Sequence, residues 1–249
     1  MSEVWAKDID WDRCEGVICN GPIKCGTGIL LKLAGMMGYK EINSYWLQVE
    51  GQIKTKGRRK IGDLKPTEFV HSHIHPVPAK RVVTILRDPR DAAISWIRWN
   101  SGPAKHQDWQ DNNVHLIDFI RNGDTVYTHR SWIQYYKPFL KWRETPEKVV
   151  YFEEMFENRD MIKRIAKAWG YEGSLQGVLE RLYGGVKHPH SQPGVESVST
   201  FTGDHSKWQD RWEEDIQRWW HELGGDDLVA KYYEGQHEGK RISGGQLHP

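Results

Sequence analysis

The stretch GVICNGPIKCGTGILL, residues 16–31, limits what this chain can fold into more than any other. A β-branched pair, Val17 and Ile18, leads into a glycine-rich turn. An apolar, helix-compatible run from Ile29 to Met37 follows. This strand–loop–helix order predicts an anion cradle. Glycines let backbone N–H groups converge on phosphate oxygens, and the helix N-terminus adds its positive dipole end. Lys24 places a point charge in the loop and Thr27 a hydroxyl. Walker A loops read G-x-x-x-x-G-K-[ST], with Lys after the second glycine. Here Lys24 precedes Gly26, so a magnesium-nucleotide kinase is not the natural reading of the loop.

The rest of the chain supplies the matching scaffold. Strands are predicted at Gly16–Asn20, Phe69–Ile74, Arg81–Leu86 and Val149–Phe152. Residues 40–50 are mixed, with room for a short strand, and residues 51–66 read as a polar loop or lid. Helices are predicted at Thr27–Met37, with Gly38 as the stop, and at Asp91–Asn100, Val114–Arg121, Thr128–Arg143, Glu153–Gly170, Gly173–Tyr183 and Ser206–Leu223. Strands alternating with helices predict an α/β fold: a single domain over residues 1–249 with a central, mostly parallel sheet flanked by helices. In such sheets ligands sit at the C-terminal strand ends. The Gly-, Pro- and Ser-rich segment 184–203 reads as a mobile loop, and 234–249 as a frayed tail.

Bulk composition excludes several classes. With 35 Lys+Arg against 34 Asp+Glu, no global basic field argues for nucleic acid. The one basic run, Lys54 to Lys60, reads as a solvated loop. Three cysteines, Cys14, Cys19 and Cys25, give neither a disulfide framework nor a zinc ribbon. The charged N-terminus has no apolar signal region, and no stretch approaches the length of a membrane span. A soluble cytoplasmic protein without a membrane partner is the expectation.

Two further stretches carry chemistry. RVVTILRDPRDAAIS, residues 81–95, delivers Arg87 at the end of a buried strand and Ser95 eight residues later in the next helix. An Arg at a strand end and a hydroxyl in the following helix can grip one phosphate from two sides. Arg87 in a structural ion pair with Asp88 or Asp91 is the alternative. VHSHIHP, residues 70–76, places His71, His73 and His75 on one face if the strand continues. Neighbouring imidazoles suit a metal, but no further acid or distant ligand completes a site, so no metal is assigned.

In order and spacing, these motifs resemble the sulfotransferases that use 3′-phosphoadenylyl sulfate (PAPS). K-x-G-T resembles their 5′-phosphosulfate loop. The strand, R-D-P-R-D and Ser at plus eight resemble their 3′-phosphate motif. H-S-H-I-H-P stands where the cytosolic members carry K-T-H-L-P. The resemblance implies that Lys24, Cys25, Gly26, Thr27, Gly28 and Ile29 line the 5′ end of the donor, and that Arg87 and Ser95 hold its 3′-phosphate. It further implies His73 as catalytic base and Lys24 as catalytic charge stabiliser. Phe152 stands for the family's Tyr beside the adenine. Phe201, Thr202 and Gly203 fall in its C-terminal loop, whose Arg and Lys are missing here. The family's Lys before the base is His71, and its adenine-stacking Trp is Ile29. His71, His75, Trp96 and Trp99 are candidate walls for a small-molecule acceptor. The implied reaction is metal-independent sulfuryl transfer from PAPS to a hydroxyl, less readily an amine, leaving adenosine 3′,5′-bisphosphate (PAP). A phosphotransferase, or a PAP-binding module without turnover, stays open as an alternative.

Overall fold

The computed structural model describes residues 2–5, 9–49, 52–56, 63–75, 77–105, 113–124, 128–183, 208–210 and 212–242. Its centre is a seven-stranded sheet in the order β1-β4-β3-β5-β2-β6-β7. The strands are β1 Ser2–Trp5, β2 Val17–Asn20, β3 Lys40–Val49, β4 Gln52–Lys56, β5 Glu68–His73, β6 Val82–Leu86 and β7 Val149–Tyr151. Strands β3, β5, β2, β6 and β7 run parallel, while β4 and β1 add an antiparallel edge. Every residue of β2 and β6 is buried. This is the burial of a strand covered on both faces, and it explains their continuous apolar runs.

The covering helices are α1 Thr27–Met36, α2 Pro89–Lys105, α3 Asn113–Asn122, α4 Trp132–Tyr136, α5 Glu154–Glu157, α6 Asp160–Ala168, α7 Gln176–Tyr183, α8 Glu214–Glu222 and α9 Gly225–Ile242. Alternating strand side chains divide the core in two. Val17, Cys19, Phe69, Val83 and Ile85 face α1, α6 and α7, with Trp169 buried among them. Ile18, Val70, Val82 and Leu86 face α2, α3, α4, α8 and α9, with Trp132 and Trp220 buried there.

Several expectations need correction. Residues 40–49 form a ten-residue strand, and 52–56 form its antiparallel partner where a loop was expected. The polar sequence of β4 suits a strand near the sheet edge. The helix expected over Glu153–Gly170 breaks at Asn158, whose side chain accepts the Asp160 N–H at 2.9 Å and restarts the chain as α6. The helix expected to Arg143 is α-helical only to Tyr136 and continues as a 3₁₀ segment, Lys137–Glu144. Pro138 lacks the N–H that an α-helix interior needs. The tail expected to fray from residue 234 is helical to Ile242, because Leu228, Tyr232 and Gln236 recur on one buried face of α9. Gly38 stops α1 as expected, with φ 88° and Tyr39 N–H donating to the Ala34 carbonyl at 3.0 Å. Segment 184–203 lies outside the described residues.

Candidate active site

Parallel β2, β5, β6 and β7 bring four connections to one edge of the sheet. The loop after β2 spans Gly21–Gly26. Lys24 sits there in the left-handed region, with φ 60°. Gly26, at φ 100°, is the N-cap of α1. A Cβ on Gly26 would lie 2.5 Å from the Phe152 ring, so glycine is needed for space as well as conformation. Thr27 and Gly28 open the helix, where the first N–H groups have no intrahelical partner.

Two adjacent tyrosines of α4 hold the loop from beneath. The Ile23 N–H donates to the Tyr135 hydroxyl at 3.0 Å. The Tyr136 hydroxyl donates to the Arg87 carbonyl at 2.6 Å, accepts the Arg87 N–H at 3.2 Å and lies 3.8 Å from Cys25 Sγ. Tyr136 thus ties the β2 loop to the turn after β6. The sequence shows these tyrosines only as part of an aromatic face; nothing in it marks their hydroxyls. Asn20 pins the ends of β2 and β5 together, donating to the Ile74 carbonyl at 3.0 Å and accepting the Ile74 N–H at 3.2 Å.

Imidazoles from β5 reach the same loop. Nδ1 of His73 lies 2.5 Å from the Gly21 carbonyl oxygen. A carbonyl only accepts, so Nδ1 carries the proton and the neutral ring has its lone pair on Nε2. Burial, with Lys24 adding to it, lowers the His73 pKa to about 4, so the ring is neutral at physiological pH. Nε2 of His71 lies 2.9 Å from Thr27 Oγ1, and the His71 ring meets that of His73 edge-on at 4.6 Å. The strand ends at His73. His75 lies beyond it against Phe139, at 5.5 Å between ring centres, so the three histidines do not share a strand face. Among the described residues, no group of three His, Cys, Asp or Glu is placed to hold a metal ion.

Cations converge on this edge. Burial, then repulsion from Arg87, lowers the Lys24 pKa to about 8. Two cations close enough to repel each other suit a bound polyanion, which would relieve the repulsion. The Lys24 ammonium lies 5.3 Å from the centre of the half-exposed Trp99 ring. Arg87 is buried, its guanidinium 4.5 Å from the centre of the Phe152 ring. Phe152 is therefore a wedge between Gly26 and Arg87. Asp88 pairs with Arg90 at 2.7 Å, while the Arg87 cation stands close enough to Asp91 to lower its pKa against the effect of burial, so the ion-pair alternative for Arg87 stands with Asp91.

The structure does not bring every expected residue to the edge. Trp96 is a core residue, 3% exposed and stacked on Phe119, rather than a wall of an acceptor site. The Ile29 side chain packs into the core beneath the loop, and that of Cys25 is fully buried. Ser95 lies half-buried on α2, two turns beyond Arg87. Phe201, Thr202 and Gly203 lie outside the described residues.

The model for the sulfotransferase domain matches residues 15–228. No curated protein matches the chain by sequence. Among solved structures, the chain is similar to mouse sulfotransferase SULT7A1 complexed with PAP, at 17% identity over 90% of both chains and a TM-score of 0.61. It is also similar to a retinol dehydratase in complex with retinol and PAP. There the identity is 16% over 87% of this chain and 82% of that one, with a TM-score of 0.56.

Proposed function

Because the chain belongs to the sulfotransferase domain family, we propose that it transfers the sulfuryl group of PAPS to a hydroxyl of a small-molecule acceptor, with His73 as general base and Lys24 as charge stabiliser. The observation that carries this reading is the bond from His73 Nδ1 to the Gly21 carbonyl, at 2.5 Å. It fixes the base in the tautomer that can take a proton on Nε2 and ties the ring to the loop that also carries Lys24.

PAPS supplies an activated sulfuryl group on a phosphate leaving group. The residues fit such a donor. Lys24, Thr27 and the first N–H groups of α1 would hold the 5′ end, and Arg87 with Ser95 would take the 3′-phosphate. As the acceptor oxygen bonds to sulfur, its proton passes to His73 Nε2. As the bond from sulfur to the 5′-phosphate oxygen breaks, the Lys24 ammonium offsets the charge gathering on that oxygen. The products are the sulfate ester and PAP, and no step requires a metal. Trp99, whose ring lies beside the Lys24 ammonium, is the aromatic wall nearest the reacting end. The retinol bound by one fold neighbour is in keeping with a small hydroxyl acceptor.

The test is turnover with PAPS and a panel of hydroxyl compounds, read as PAP release. His73→Ala and Lys24→Ala are each expected to lower kcat by about 10²–10⁴. Unchanged turnover in both variants would sink the role assignment. Failure of the wild-type protein to bind PAP by calorimetry would sink the donor as well.

A further inference from the structure

Residue 71 stands where the resemblance above puts the family's lysine before the base, yet here it is a histidine beside the phosphate loop. Strands β5 and β2 lie side by side in parallel register, with Cys19 opposite His71, so the His71 ring stands beside the strand that feeds the phosphate loop. Its Nε2 is 2.9 Å from the hydroxyl of Thr27, the first residue of α1, which is itself buried. The direction of that bond follows from hydrogen-bond arithmetic. A threonine hydroxyl has one proton to give, and an ionised phosphate can only accept. If Thr27 gave its proton to His71, lone pairs would face the anion. If His71 gives its Nε2 proton to Thr27 Oγ1, the Thr27 proton is left for the phosphate.

We propose that His71 is a positioning residue: its Nε2–H donates to Thr27 Oγ1 and so turns the Thr27 hydroxyl toward the 5′-phosphate of the donor. The inference rests on the PAPS reading and deepens it. In place of the family's lysine, the ring works on the phosphate loop, braced edge-on against His73. Burial, with His73 adding to it, holds the His71 pKa well below its ordinary value, so the ring has one proton to place.

PAP binding by calorimetry, on the full chain, tests the relay. Losing a charge-assisted bond to phosphate predicts His71→Phe to weaken PAP binding about tenfold. His71→Gln, whose amide nitrogen can stand in for Nε2, should stay within about twofold of wild type. Thr27→Val should weaken binding as His71→Phe does, and the double variant should weaken it no further than either single one, since both cut one relay. A purely structural role for His71 predicts neither the rescue nor that ceiling. His71→Phe binding PAP as tightly as wild type would overturn the inference and leave the donor assignment standing. Wild-type protein that binds no PAP would overturn both. Should His71→Phe not fold, imidazole ¹⁵N NMR of the wild-type protein with PAP decides. The Nε2–H form of His71 is expected, and the Nδ1–H form overturns the proposal.

Discussion

The loop after β2 and the turn after β6 end neighbouring strands of one sheet, yet they are held in different ways. The first is shaped by backbone conformation, with Lys24 and Gly26 both at positive φ, and fastened by uncharged partners: Tyr135 on Ile23 and His71 on Thr27. The second is fastened by charge. Asp88 accepts Arg90 at 2.7 Å and the Tyr233 hydroxyl at 2.8 Å, and its own N–H donates to Glu153 at 2.9 Å. Glu153 in turn accepts the Tyr232 hydroxyl at 2.5 Å, and Asp91 accepts the Trp208 N–H at 2.8 Å. A loop built on backbone geometry carries its own instructions. A turn built on carboxylates borrows donors from α9, 145 residues further along the chain at Tyr233.

The largest effect that should separate the two is a change in α9. Tyr232 is buried between Tyr151 and Tyr233 and bonds Glu153. Tyr232→Ala should cost about 3–5 kcal/mol of stability in urea unfolding, the usual range for an aromatic truncated in a core. Its functional signature should be selective. PAP affinity should fall while affinity for adenosine 5′-phosphate, which lacks the 3′-phosphate, should change little. Equal losses for both nucleotides would show that the two connections are not held separately.

The same contrast explains what was legible in the sequence. Lys24, Gly26 and Thr27 could be read because their task is local: three residue types at fixed spacing specify a loop and a helix start. Arg87 could be read because a buried strand ends beside it. The partners of Asp88 could not, since Tyr233 and Glu153 are far away in sequence and look like ordinary helix residues. The end of α9 from residue 234 reads as a frayed tail for that reason: its polar sequence hides a narrow buried stripe at Leu228, Tyr232 and Gln236. Trp96 and Trp99 show a similar limit. Three residues apart on α2, one is 3% exposed and the other 48%, and packing against Phe119 marks Trp96 as core. Strand β4 reads as a loop because its polar residues, one strand in from the edge, show no apolar periodicity.

A smaller effect should test a hydrogen-bonded bridge between the regions. The buried Tyr136 hydroxyl serves both backbone groups of Arg87 and approaches Cys25 Sγ. Tyr136→Phe keeps the ring and should cost about 1–2 kcal/mol, because it strips partners from buried backbone groups. Unlike Tyr232→Ala, it should weaken PAP and adenosine 5′-phosphate together. Tyr135→Phe, which touches only Ile23 of the first loop, serves as the comparison. Selective loss of PAP binding in Tyr136→Phe would mean that its hydroxyl serves the second turn alone.

The smallest effect is in the response to pH, where the two regions should differ in sign and window. Burial raises the pKa of Asp91 from 3.8 to about 7. Between those values the native state keeps a proton that the unfolded chain releases, so this group lowers stability as pH rises from about 4 to 7. The Arg87 cation and the Trp208 N–H favour the carboxylate and so oppose the burial. Asp91→Asn still offers an oxygen to the Trp208 N–H and removes the titration. It should be more stable than wild type at pH 8 and lose that margin by pH 4, as read from urea midpoints. At the first loop, Lys24 is lowered to about 8, and His73 of β5, bonded to that loop, to about 4. Both must hold their working forms in the free enzyme, so kcat/KM for PAPS should rise through about pH 4 and fall through about pH 8. A bound polyanion favours the Lys24 ammonium, so the alkaline limb of kcat should lie higher than that of kcat/KM. If Asp91→Asn moved that alkaline limb as far as Lys24→Arg does, the Asp91 carboxylate as well as Arg87 would be setting the proton affinity of Lys24, and the division between a backbone-built and a charge-built region would fail.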